Sequence, residues 1–107
     1  MSLDVTLIAA RPTEVYWRNI THNLGKMAAE AGIYQHLWEP EEIGITHADQ
    51  LIEPLTEGLS KLKADPDYYS KFNAANGWGL YEHFVPFVED YLRACQENPD
   101  AAVSVCR

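Results

Sequence analysis

Apolar and polar positions alternate at both ends of the chain. Residues 3–9 (LDVTLIA) alternate within a β-rich segment, the next residues contain a proline-based turn signal, and residues 15–20 (VYWRNI) are again β-branched and aromatic. Alternation with a period of two is typical of strands that bury one face. We therefore predict a first strand, a turn near Pro12 and a second strand or extended segment, with a hairpin as the favoured pairing. The closing AAVSVCR predicts a short strand that joins the N-terminal strand in one small sheet.

Between these ends, apolar residues recur at the i, i+3, i+4, i+7 spacing of amphipathic helices. The three stripes fall within residues 24–31, 48–62 and 81–95, and shorter helical turns are expected at IYQHLW and after Pro66. Pro54 lies inside the second stripe, where it removes one backbone donor, so we expect a kink or a break there.

Capping residues predict where the helices begin and end. Thr21 or Asn19 can cap the first helix, and Gly32 can end it. Thr46, with Asp49 three residues later, fits a variant capping box at the start of the second helix.

Together these elements predict one domain over residues 1–107, of the α+β class. The N-terminal strand or hairpin and the C-terminal strand form a small two- or three-stranded sheet, packed by about three helices. A chain of 107 residues with 47% hydrophobic composition supplies one core and leaves no room for a second.

The chain is acidic, with 16 acidic against 8 basic residues and a formal charge of −8. This balance argues against direct binding to nucleic acid, which needs clustered Lys and Arg. It permits a basic protein surface as partner, although an acidic surface that keeps the protein soluble is the plainer interpretation. The N-terminus lacks a signal-peptide pattern, and no apolar stretch approaches the ~20 residues of a membrane helix. We therefore expect a cytoplasmic protein without membrane contact, and reduced thiols at Cys95 and Cys106.

The standard catalytic and nucleotide-binding motifs are missing from the sequence. No two of the four histidines lie three or four residues apart, so no helix carries a two-histidine metal site. Three ligands could still converge in space, for example His22, Glu82 and His83, but lone histidines usually cap, hydrogen-bond or lie at the surface. We predict no metal and no cofactor.

Two polar clusters stand at predicted helix starts. The first consists of Asn19, Thr21, His22 and Asn23, and the second consists of Asn73, Asn76, Trp78, Tyr81, Glu82 and His83. A helix start exposes unpaired N–H groups, asparagine both donates and accepts, and Trp and Tyr offer flat stacking surfaces. Capping and turn formation also explain most of these residue types. The polar and aromatic residues that capping does not explain predict a pocket for a small polar or nucleotide-like ligand, provided that the two helix starts face each other. Its predicted ligand-binding residues are Asn19, Thr21, His22, Asn23, Asn76, Trp78, Tyr81 and His83.

Two other functions remain open. In a small hydrolase or transferase, His22 or His83 would be the general base or acid and Glu82 would orient it, although the missing motifs make a non-enzyme the favoured prediction. In an acidic protein-interaction module or inhibitor, exposed aromatic residues with an acidic rim would bind a basic partner or a second copy in a homodimer.

The segments NITHNLGKMAAEAGIY, LWEPEE and NGWGLYEHFVPFVEDYL span most of residues 18–97. In these segments the chain resembles a group of small bacterial and phage proteins that has no established activity. The resemblance implies no cofactor and assigns no role to any residue. It implies at most a phage-linked role, such as that of an inhibitor or a ligand-sequestering protein.

Overall fold

A computed structural model describes residues 2–9 and 13–107. Its sheet contains β1 (Ser2–Ile8), β2 (Glu14–Thr21) and β3 (Ala102–Cys106), all antiparallel to their neighbours in the order β2-β1-β3. The predicted hairpin and the pairing of the C-terminal strand with the N-terminal strand are therefore confirmed. The predicted turn near Pro12 lies outside the described residues.

Register separates the two faces of the sheet. Leu3, Val5 and Leu7 are fully buried, because alternate residues of β1 point into the core. Val5 pairs with Arg18 on one side and with Val105 on the other, so these three side chains share the inner face. Trp17 belongs to the opposite face, where its side chain is 51% exposed.

Five α-helices follow one another along the described part of the chain. They are α1 (Gly25–Glu30), α2 (Tyr34–Trp38), α3 (Asp49–Ala64), α4 (Pro66–Ser70) and α5 (Tyr81–Glu97), with 3-10 turns at His22–Leu24 and Pro40–Ile43. All three predicted stripes are helical, which confirms the α+β class. The first stripe is divided between a 3-10 turn and the six-residue α1, so only α3 and α5 are long helices.

The two long helices tolerate internal proline. Pro54 lies in α3 and Pro86 in α5, and both helices continue past them, so a break at Pro54 is wrong. Each proline is the sixth residue of its helix, so it removes only one bond of the helical ladder. Packing of the apolar stripes around it outweighs that loss.

The capping predictions had mixed outcomes. The Thr21 hydroxyl accepts from the backbone N–H of Asn23 (3.2 Å), so Thr21 caps the first helical turn as predicted. The capping box at Thr46 is wrong, because α3 begins only at Asp49. The Gln50 side-chain oxygen reaches back instead and accepts from the backbone N–H groups of Thr46 (2.7 Å) and His47 (3.0 Å).

Helix α5 carries the largest share of the core. Phe84, Phe87, Val88 and Tyr91 are fully buried on its inner face, where α5 packs against β2 and α3. No helix among the described residues is long and apolar enough to cross a bilayer.

Candidate functional site

The two predicted polar clusters line one open groove of about 1040 Å³. One wall comes from the end of β2 and the 3-10 turn that follows it, and the other from residues 76–79 and the first turns of α5. Seven of the eight predicted ligand-binding residues line the groove: Asn19, Thr21, His22, Asn23, Asn76, Trp78 and His83. Glu82 lines it as well, and Tyr81 does not. The condition that the two helix starts face each other is thus met.

A direct contact joins the two walls. The side-chain amide of Asn23 donates to the backbone carbonyl of Trp78 over 2.6 Å. Gly79 makes this approach feasible, since its φ of +126° suits glycine and a Cβ placed there would lie 2.9 Å from Asn23 Cβ. The groove is therefore formed by close packing of two segments that lie far apart in the chain.

Turn chemistry builds the wall that contains Trp78. The Asn76 side-chain oxygen accepts from the Trp78 N–H (3.0 Å), and Gly77 adopts a φ of +78°. The Asn73 side-chain oxygen accepts from the Tyr81 N–H (2.7 Å) at the start of α5. This network leaves the Trp78 side chain 72% exposed along the groove.

Several polar residues of the first cluster have structural partners. The Asn19 amide donates to the Asp4 carboxylate (2.5 Å) and to the Ser2 hydroxyl (2.9 Å), while the Thr21 hydroxyl is the cap described above. Asn19, Thr21 and Asn23 thus shape the groove through these bonds, which use part of their hydrogen-bonding capacity.

Tyr81 turns away from the groove. Its hydroxyl donates to the Leu62 carbonyl of α3 over 2.7 Å, and burial raises its pKa. The prediction grouped Tyr81 with Trp78 as a flat stacking surface at the same helix start. The first turn of α5 instead directs it towards α3.

His22, Glu82, His83 and the Trp78 ring are the groove groups left with fewest partners. The His22 ring meets Trp38 edge-on, with ring centroids 6.1 Å apart, and its Nε2 atom is buried without a hydrogen-bond partner. Within residues 2–9 and 13–107, no ion pair involves Glu82 or His83. In the same part of the chain no three metal-ligating side chains are placed to hold an ion, so His22, Glu82 and His83 do not form a metal centre.

Arg18 is a groove residue that the sequence analysis missed. It lies on the inner face of β2, lines the groove, and pairs through its guanidinium with the Asp90 carboxylate of α5. Alternation along β2 places Arg18 on the same face as the buried Ile20. Its partner could not be identified without knowing that α5 crosses β2.

Three side chains with strongly raised pKa values lie in the core between β2 and α5. Burial raises the pKa of the Cys95 thiol to about 12 and that of the Tyr16 hydroxyl to about 12, and it raises the pKa of the buried Tyr91 further. Cys95 therefore stays a thiol at physiological pH, which makes it a poor nucleophile. Both cysteines are free: Cys95 is buried and Cys106 is exposed.

A second, smaller groove of about 410 Å³ lies between the turn after α1 and the outer face of α3. Asp49, Glu53 and Glu57 line it at four-residue intervals, together with His36 and Lys61. None of the predicted site residues belongs to this groove.

Comparison with protein-family models, with curated proteins and with solved structures finds no match to the chain. The resemblance to small bacterial and phage proteins accordingly stays a prediction. The fold and the site define a small α+β domain with an open polar groove that is lined by the exposed Trp78.

Proposed function

We propose that the protein is a non-catalytic domain that binds a small polar or nucleotide-like molecule in the groove between its two helix starts. One observation carries the proposal: two polar clusters, separated by some fifty residues of chain, form a single groove joined by the contact between Asn23 and Trp78. Its volume of about 1040 Å³ is slightly above the ~300–1,000 Å³ typical of small-ligand sites.

Trp78 supports binding by stacking. Large aromatic side chains gain most of their stabilisation from burial, so a tryptophan that is 72% exposed contributes little to this fold. A flat ring at the wall of a groove is suited to a planar ligand, since stacking of a base on an aromatic ring is worth about 1–3 kcal/mol.

The groove favours binding over catalysis. Nucleophilic catalysis needs a nucleophile within hydrogen-bond reach of a base. The hydroxyl of Thr21 is engaged as a helix cap, and Cys95 is buried away from the groove. The imidazoles and the carboxylate that remain are well suited to hydrogen bonding with a ligand.

The three tryptophans offer an internal control for a binding experiment. Trp78 lines the groove, whereas Trp17 is exposed on the other face of the sheet and Trp38 is buried. In an NMR titration with nucleosides, nucleotides and sugars, we expect a ligand to shift the indole N–H signal of Trp78 and to leave that of Trp17 in place. Trp78→Ala should weaken binding at least about tenfold, because it removes the stacking surface. Trp17→Ala is the matched exposed control.

The proposal makes a clear negative prediction as well. If every compound in the panel leaves the Trp78 signal unmoved, the groove is no site for this class of ligand. Equal loss of affinity in Trp78→Ala and Trp17→Ala would place the binding surface elsewhere.

A further inference from the structure

We infer that the groove selects an uncharged heterocycle with adjacent N–H donors, such as guanine or its nucleoside, and discriminates against the phosphorylated form. This inference rests on the proposed function and narrows its ligand class. It follows from how the charged groups and the backbone N–H groups of the groove are already used.

The positive charge in the groove is compensated. Among the described residues Arg18 is the one lysine or arginine that lines it, and its guanidinium is paired with Asp90. Glu82 adds a negative charge to the same lining, and the chain as a whole carries −8. A phosphate monoester brings a charge of about −1.5 to −2 at neutral pH, which needs cations or free N–H donors to balance its desolvation.

The start of α5 does not supply those donors. The Tyr81 N–H donates to the Asn73 side chain (2.7 Å), and the N–H groups of His83 (2.9 Å) and Phe84 (3.0 Å) donate to the Leu80 carbonyl. The carboxylate of Glu82 stands in the first turn, where it meets the helix dipole in place of an external anion. Three of the first four N–H groups of α5 are thus already paired within the protein, and a carboxylate stands beside them.

The opposite wall is occupied in the same way. The backbone N–H of Asn23 donates to the Thr21 hydroxyl, and the Asn23 side-chain amide donates to the Trp78 carbonyl. Neither wall presents the set of free N–H groups that phosphate-binding helix starts use.

The groups that remain match a donor-rich planar ring. Trp78 supplies an exposed flat face, and Glu82, four residues later, supplies a carboxylate that only accepts hydrogen bonds when ionised. Two adjacent N–H donors satisfy a carboxylate best, since its two oxygens can then each accept one bond. Guanine carries such a pair on its ring N–H and amino group, whereas adenine presents an acceptor beside its amino group.

The experiment compares guanosine, adenosine and guanosine monophosphate by calorimetry and by the Trp78 indole signal. It is run at pH 8, above the ordinary titration range of histidine, so that imidazolium does not attract the phosphate. We expect guanosine to bind at least about tenfold more tightly than either competitor, the difference that one charge-assisted hydrogen bond or one charge repulsion produces.

Two charge-matched variants locate the effect. Glu82→Gln should weaken guanosine binding about tenfold and reduce the discrimination against the monophosphate, because it replaces one of the two acceptor oxygens with a donor NH2 group and removes the repelling charge. Glu97→Gln removes the same charge from an exposed position at the other end of α5, and should leave both affinities unchanged.

The outcomes separate this inference from the proposed function. Monophosphate or adenosine binding as tight as guanosine binding, with a shifted Trp78 signal, overturns the ligand class and leaves the binding site standing. An equal effect of Glu82→Gln and Glu97→Gln likewise overturns the role of the Glu82 carboxylate. A Trp78 signal unmoved by all three compounds and by the wider panel overturns the proposed function itself.

Discussion

Replacement of Gly79 with alanine perturbs the contact on which the groove depends. The backbone at Gly79 has a φ of +126°, a conformation that costs a residue with a Cβ about 1–3 kcal/mol. The new Cβ would also lie 2.9 Å from Asn23 Cβ and 3.4 Å from the Asn23 carbonyl carbon and Thr21 Cγ2. Overpacking of this kind costs about 1–3 kcal/mol. Alanine also reduces the conformational entropy of the unfolded chain, which raises the free energy of unfolding by about 0.4–1 kcal/mol.

The net effect should be a loss of about 3 kcal/mol in the free energy of unfolding. Gly77 offers a matched control two residues earlier, since its φ is +78° and a Cβ there meets nothing within 4 Å. Gly77→Ala should therefore cost only the backbone strain, about 1 kcal/mol. The difference between the two variants, about 2 kcal/mol, combines the contact with Asn23 and the greater backbone strain at a φ of +126°.

Urea denaturation followed by circular dichroism gives both free energies on the same protein background. The m-value should stay constant across the wild type and the two variants, so that the shift in midpoint reports stability alone. If Gly79→Ala loses no more stability than Gly77→Ala, then Gly79 does not press against Asn23. The close packing of the two groove walls would then be wrong.

Three further predictions test the cap, the core and the response to acid. Thr21→Ala should lower the free energy of unfolding by about 1 kcal/mol, because the Asn23 N–H loses its acceptor. Thr21→Ser keeps a hydroxyl at this position and should have nearly the stability of the wild type. Equal stability of all three proteins would contradict the cap. Tyr91→Phe keeps the ring stacked on Tyr16 and removes a buried hydroxyl that has no hydrogen-bond partner. Urea denaturation should therefore show a free energy of unfolding that is unchanged or up to about 1 kcal/mol higher. A loss of more than about 1 kcal/mol would mean that the hydroxyl is hydrogen-bonded. Burial lowers the pKa of His36 below the usual 6.5, so the unfolded chain binds more protons than the folded protein and stability should fall as the pH drops through about 6.5. His36→Gln should reduce this loss of stability when the free energy of unfolding is measured at pH 7.5 and at pH 5.5. An unchanged loss in the variant would contradict the burial of the ring.

Local patterns were sufficient to predict the elements. The alternation in residues 3–9 predicted strand β1, and the apolar stripe over residues 81–95 predicted α5 to within two residues of its ends at Tyr81 and Glu97. These features follow from neighbours within one or two turns, because the period of burial is a property of the strand or helix itself.

Capping was less predictable, because several nearby side chains compete for the same backbone N–H groups. Thr46 and Asp49 match a capping pattern, yet Gln50 is the residue whose oxygen accepts from the chain before α3. Gln50 can do so because residues 44–47 lead into the helix along a path that the rest of the protein sets. The His47 backbone in that segment bridges to Ala102 at the start of β3.

By itself the sequence determined the α+β class, the order of strands and helices and the residue types available at each helix start. Only the tertiary structure decided that Asn23 and Trp78, 55 positions apart, would meet in one groove. It also decided that Asn19 would bond to Asp4, that Tyr81 would turn to Leu62, and that Arg18 would be neutralised by α5. The physical reason is range: periodicity and caps act over a few residues, whereas a site joins segments whose distance depends on how the whole core packs.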